Sequence, residues 1–223
     1  MLDIVMPVCG NDHLTSKLFQ CLEEQTVLPA TVFIIDNGAG GNGHASPHRD
    51  LCGRSPLPTV YLPQERNIGV NASWNLALTL CKSEYVSILN NDLLINKWFI
   101  EKVERTFIEN PNCGGCVPNT LPTIQAYESH AEIKRSYQWQ PHREGWAFSV
   151  RRELWEKIPS VLKTFLGDDF IFAAIQRRGY IWIKTFDNHI FHYVSQSLYS
   201  TGADKDWPAD LEAWHKLPKG DSA

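Results

Sequence analysis

Short apolar runs at residues 2–8 (LDIVMPV), 31–36 (TVFIID), 59–62 (TVYL) and 85–90 (YVSILN) alternate along this chain with segments of helical period. Each run is too short for a helix and reads as a buried strand. Between them, residues 13–26 place Leu14, Leu18, Cys21, Leu22 and Gln25 on one helical face, with Asp12 or Thr15 as cap. Residues 70–81 and 97–109 read as further amphipathic helices. The Gly- and Pro-rich residues 37–57 read as loop. This alternation predicts an α/β fold with a mostly parallel sheet covered on both faces. Open sheets of that kind bind ligands beyond the carboxyl ends of their strands. The first candidates are therefore the polar residues that close strands: Asp36 after the second run, and Asn90, Asn91 and Asp92 after the fourth.

The second half is less regular. Residues 119–143 show no clear period and contain Pro122 and Pro141. Residues 145–150 and 180–184 suggest strands, 152–157 a short helix, and 168–178 a helix with acids at its N-terminus. Residues 200–223 read as a tail with one short helix around Leu211–His215. At 223 residues the chain suits a single domain, with a first half over 1–118 and a second over 119–199.

Several classes are excluded or disfavoured. No apolar run approaches the roughly 18 residues of a membrane helix. The start, MLDIVMPV, has no basic residue before Lys17 and does not read as an export signal, so a cytoplasmic protein is expected. The six cysteines are then expected as free thiols. Cys113 and Cys116 have zinc-ligand spacing, as do His44, His48 and Cys52, but no second close pair completes a structural site, and buried thiols are the plainer reading. Gly38, Gly40 and Gly43 fit G-x-G-x-x-G after a strand. A dinucleotide site needs a helix opening at the third glycine, and Pro47, Pro56 and Pro58 follow instead, so a mobile loop is expected. The net charge of −4 disfavours a general nucleic-acid binder.

Six clusters in order resemble the inverting glycosyltransferases of family two, which have the GT-A fold. The first is Pro7 with Gln25, Thr26 and Asp36-Asn37-Gly38; the second is Asn67-Ile-Gly69 with Asn71, Asn75 and Ala77. The third is Asn90-Asn91-Asp92, in the place of the family's Asp-x-Asp; the fourth runs from Gly145-Trp146 to Arg151-Arg152. The fifth, Gly167-Asp168-Asp169-Phe170, resembles the family's Glu-Asp motif, and the sixth is His189-x-x-His192 with Ser195 and Ser197.

The resemblance implies transfer of a sugar from a nucleoside-diphosphate sugar, a UDP-sugar above all, to an acceptor hydroxyl, with help from Mn²⁺ or Mg²⁺. It implies donor contacts from Pro7, Val8, Cys9, Asp36, Asn67, Gly69, Asn75 and Asn91. Asp92 would be the metal ligand, with His192, or in competition His189, as a second; Asn90 stands where the family has its first Asp. Asp169 would be the general base beside Asp168, although two acids at a helix start also suit simple capping. Gly145, Trp146 and Arg152 would shape the sugar or acceptor site.

The acceptor is open at this point. A saccharide is the default, which would make the protein cytoplasmic or peripheral to a membrane through its substrate. Residues 134–155, however, hold Lys134, Arg135, Arg143, Arg151 and Arg152 among aromatics, a composition that also suits a hydroxylated base in DNA. A catalytically inactive nucleotide- or glycan-binding module is the rival from another class, because of Asn90. A nucleotidyltransferase would need a glycine-rich phosphate loop after the first strand, which Cys9-Gly10-Asn11-Asp12 does not provide.

Overall fold

The computed structural model describes residues 1–38, 46–129, 137–139 as backbone, 144–193 and 203–217. The leading strands form where the apolar runs predict them: β1 (Leu2–Val8), β2 (Thr31–Asp36), β3 (Thr59–Pro63) and β4 (Tyr85–Leu89). They are joined through α1 (Asp12–Glu23), α2 (Pro47–Arg54) and α3 (Val70–Leu78). β1 and β4 are buried throughout because helices cover both faces, whereas the edge strand β3 is half exposed. α2 lies within the stretch expected as loop. Ser46 caps it by accepting the His48 N–H, and Pro47 occupies its first turn, where a missing N–H costs nothing.

The chain continues through β5 (Leu93–Ile95), α4 (Phe99–Glu109), β6 (Cys113–Leu121), α5 (Ile124–Ser129), β7 (Tyr137–Trp139) and β8 (Ala147–Arg151). A single 3-10 turn over Arg152–Leu154 then leads to α6 (Gly167–Arg177), β9 (Ile181–His192) and α7 (Trp207–Lys216). β9 is far longer than the strand expected at 180–184, because its C-terminal half pairs with β5 on one side and the end of β6 on the other. β6 carries Cys113 and Cys116 as buried thiols within the strand. Its two glycines serve packing: a side chain at Gly115 would overlap the Trp182 ring, and one at Gly114 would strike Ile175 and Tyr180. All six cysteines are free, and no group of three or more metal-ligating side chains occurs among the described residues. His44 and the glycines after Gly38 lie outside the described residues.

The sheet has nine strands among the described residues, in the order β3-β2-β1-β4-β8-β6-β9-β5, with β7 alongside β9. β3, β2, β1 and β4 are mutually parallel, β8 runs antiparallel between β4 and β6, and β6 is parallel to β9. One apolar layer beneath α1 and α4 and another beneath α3 and α6 cover its faces. From β1 the chain moves outward to β2 and β3, then returns to place β4 on the other side of β1. That reversal is the switch point at which such sheets open a crevice. The β1–β4 ladder stops at Val5 opposite Ile88, so Pro7 and Val8 pair with β2 alone. Pro7 has no N–H to give to β4 and loses nothing by the parting.

Candidate functional site

A cavity of about 650 Å³ lies over the carboxyl ends of β1 and β4. The end of β1 lines it with Pro7, Val8 and Cys9, and the segment after β4 with Asn90, Asn91 and Asp92. Beside that segment stand Gly145 and Trp146 before β8, the Trp146 carbonyl accepting the Asn90 N–H at 2.9 Å, and His192 at the end of β9. Asp168 and Asp169 in the first turn of α6 close a third side.

The segment after β4 is tied down from beneath. The Asn91 amide donates to the Gly10 carbonyl at 3.1 Å and to Thr15 Oγ1 at 2.9 Å. Asn91 therefore faces the protein with its donor group and fixes the bend that presents Asp92. Asp92 Oδ1 lies 3.2 Å from His192 Nε2, and both residues are buried. The His192 ring stacks on Trp146 with centroids 5.1 Å apart, and the Trp146 indole N–H donates to Thr120 Oγ1 at 3.0 Å. His189 does not line the cavity and packs edge-on against Tyr127.

A carboxylate and an imidazole side by side, next to space for phosphate and water, form a donor set that Mn²⁺ or Mg²⁺ accepts, since such ions take only one or two protein carboxylates. The charge of the cavity points the same way. Asp92, Asp168 and Asp169 line it, and no Lys or Arg does among the described residues.

Burial and the neighbouring charge of Asp169 push the Asp168 carboxyl up to about 6. Gly145 makes room for this group, because a Cβ there would lie 2.5 Å from Asp168 Oδ2. Leu166, just before α6, holds a left-handed φ of 62° at the cavity wall, an uncommon strain for a branched residue.

Three expected site residues lie elsewhere. Asp36 is fully buried and does not line the cavity. Its Oδ2 accepts from Ser46 Oγ at 2.5 Å and Tyr61 Oη at 2.8 Å and lies 3.3 Å from His48 Nδ1, while Oδ1 accepts the Gly38 N–H at 2.9 Å. Burial alone would raise this carboxyl, but the hydrogen bonds from His48, Ser46, Tyr61 and Gly38 outweigh it and hold it at about 2. The next residue, Asn37, reaches the cavity instead. Asn75 is also committed inward, donating to the Ile158 carbonyl and accepting the Ile158 N–H and the Trp155 indole N–H.

Arg152 lies at the opposite end of the strands. β8 is antiparallel to β4, so Ala147 meets Leu89 near the cavity and Arg151 meets Tyr85 at the far end. Arg152 donates to the Ser83 carbonyl, and Arg151 to the Cys113 and Phe107 carbonyls. The basic stretch is thus broken up by strand direction. Lys134, Arg135 and Arg143, like Ser195 and Ser197, lie outside the described residues.

Asn67 and Gly69 do line the cavity, beside Thr164 and Phe165. The Asn67 side-chain Oδ1 accepts the Gly69 N–H at 2.8 Å, and Gly69 has φ 86° with the Lys163 carbonyl oxygen 2.8 Å from where a Cβ would sit. Only glycine fits there. Asn71 donates to the Leu162 and Phe165 carbonyls, so the asparagines of this cluster buttress the segment that leads into Asp168 and Asp169.

Sequence reasoning did not foresee Trp207 and Trp214 of α7, which also line the cavity. The available signal was the acid-then-proline pattern of Asp206-Trp207-Pro208, which marks a helix start.

The family model for glycosyl transferase family 2 matches residues 3–164. Among solved structures, the mannosyltransferase PcManGT from Pyrobaculum calidifontis, in complex with GDP-Man and Mn²⁺, superposes with TM-score 0.74 at 18% identity, over 100% of this chain and 65% of that one. GalNAc-T7 with UDP, GalNAc and Mn²⁺ gives 0.69 at 13% identity, over 86% of this chain and 43% of that one. S. aureus TarS 1-349 gives 0.65 at 16% identity, over 96% of this chain and 68% of that one. No curated protein matches the sequence. The chain spans about two thirds of the mannosyltransferase and less than half of GalNAc-T7, and at these identities the likeness is one of fold. With the mixed sheet, its switch-point cavity and a match over most of its length, the chain has the GT-A fold and belongs to glycosyl transferase family 2.

Proposed function

We propose that the protein is a metal-dependent, inverting glycosyltransferase that moves a sugar from a nucleoside-diphosphate sugar to an acceptor hydroxyl. The observation that carries this reading is the charge of the cavity: three carboxylates and, among the described residues lining it, no Lys or Arg. A diphosphate would be repelled there unless a cation accompanied it. Asp92 with His192 would hold a divalent ion, which supplies the positive charge that a departing diphosphate requires. Pro7, Val8, Cys9 and Asn37 at the strand ends, with Asn67 and Gly69, would enclose the nucleoside. The solved relatives were seen with GDP-Man or UDP and with Mn²⁺, which supports the donor class.

Asp169 would accept the acceptor's hydroxyl proton as that oxygen bonds to the anomeric carbon and the bond to the diphosphate breaks. One base and one face of attack give inversion. Asp168, raised to about 6, would sit beside it and keep its proton longer than an ordinary carboxylic acid. A DNA acceptor loses the support of Arg151 and Arg152, which are bound at the far end of the strands, while Lys134, Arg135 and Arg143 lie outside the described residues.

The test is a melting-temperature screen of the full chain with UDP-sugars and GDP-sugars, with and without Mn²⁺, followed by assay of nucleotide release. A metal-dependent rise and slow release of nucleotide are expected. A rise without release identifies an inactive binding module, and no rise with any nucleotide overturns the proposal.

No helix among the described residues is long and apolar enough to cross a membrane.

A further inference from the structure

α7 lies beyond the residues that the family model matches, yet it forms part of the cavity wall. Its Asp210 is buried at 1% exposure and accepts the backbone N–H groups of Lys163, Thr164 and Phe165 at 2.8–2.9 Å. Asp206 accepts from Thr164 Oγ1 as well. These bonds fasten α7 to the segment that leads into Asp168 and Asp169. They also set Trp207 edge-to-face against Phe165, with centroids 5.2 Å apart and planes at 89°. Trp207 remains 44% exposed while lining the cavity. A large indole left open at the wall of a cavity that two carboxylates also line, on a helix held there by a buried acid, is placed to meet a ligand.

We propose that α7 is the acceptor-recognition element, with Trp207 as the platform on which an uncharged sugar ring of the acceptor stacks; this rests on the transferase reading above. Phe165, Trp207 and Asp169 line the same cavity, so a hydroxyl that approaches Asp169 brings its ring into the space that the Phe165–Trp207 pair borders. An aromatic face suits the C–H face of a sugar and equally a nucleobase. Charge separates the two. Asp204, Asp206 and Glu212 on and before α7 outnumber Lys205 and Lys216, and the cavity wall adds three carboxylates. Lys157 and Lys163 line the neighbouring cavity and not this one. A polyphosphate backbone gains nothing from such a surface, and a neutral saccharide is unaffected by it.

The experiment is saturation-transfer NMR on the full chain with UDP and Mn²⁺ present. The probes are glucose, N-acetylglucosamine, cellobiose, maltose and a short DNA duplex. At least one saccharide is expected to bind, with affinity insensitive to salt. Trp207→Ala is expected to weaken it at least about tenfold, the scale for truncating an aromatic anchor, and Trp207→Phe to recover part of the loss. The melting temperature of each variant shows that it is folded. Saccharide binding that is equally strong in Trp207→Ala, a panel in which no saccharide binds the wild type, or tighter, salt-sensitive binding of the duplex each overturns the proposal. Saccharide binding that depends on Trp207 in a protein showing no response to UDP or GDP supports the platform and overturns the transferase reading alone.

Discussion

Asp168 and Asp169 are neighbours in sequence and both line the cavity, and the proposed mechanism gives them different roles. Asp169→Asn keeps size and hydrogen bonding yet cannot take a proton, so turnover is expected to fall by ~10²–10⁴-fold with nucleotide affinity retained. Asp168→Asn is expected to cost less turnover; the reverse ranking would assign the base to Asp168. The Asp168 carboxyl also makes stability depend on pH. It titrates near 3.8 when unfolded and near 6 in the native protein, so between those values the native state holds more of the proton. Its contribution is present below about pH 4 and is lost as pH rises through about 6. Asp168→Asn, which is neutral at every pH, is therefore expected to melt above the wild type at pH 7 and level with it near pH 3.5. The gain is up to about 3 kcal/mol, less to the extent that solvent reaches the group. Melting curves of the two proteins across pH 3.5–7.5 check this, and a difference that does not change with pH would refute it.

α7 shows how an element outside the repeating strand-and-helix pattern completes a site. Three backbone N–H groups converge on Asp210, and an alanine there leaves all three without that acceptor. The loss is about 3 kcal/mol, taking roughly 1 kcal/mol for each bond to a charged acceptor that water partly replaces. For a chain of this size that lowers the melting temperature by roughly 6–12 °C. Calorimetry of Asp210→Ala measures it, and a change below 2 °C would mean that α7 does not hold the 163–165 segment. β8 teaches a related lesson. Its apolar residues were enough to recognise a strand, but its antiparallel direction alone decided that Gly145 and Trp146 meet the cavity while Arg152 does not.

Across the whole molecule the cavity concentrates negative charge in a chain already at −4. Two outcomes are expected. Chelation of divalent ions, or Asp92→Ala, removes most of the stabilisation by UDP or GDP in a melting experiment; a shift that survives both would show that the ion is not needed. Duplex DNA is expected to show no steep salt-dependent binding in a filter or fluorescence titration, since the described cavity lining carries three carboxylates and no Lys or Arg. By itself the sequence determined the strand and helix alternation and the strand end that carries Asp92, because period and punctuation are local properties; Pro7, Asp168, Asp169 and His192 were offered only through the family resemblance, and the fold brings them to one cavity. It could not determine which side chains of a strand-end motif turn inward. Asp36 has the right residue type in the right place, but Ser46, His48 and Tyr61 close around it from elements up to 25 residues away. Asn75 is claimed by a carbonyl 83 residues on, and Asp210 by amides 45–47 residues back. Partners so distant in sequence leave no periodic trace, so only the tertiary structure decided which polar residues hold the fold and which remain open to a ligand.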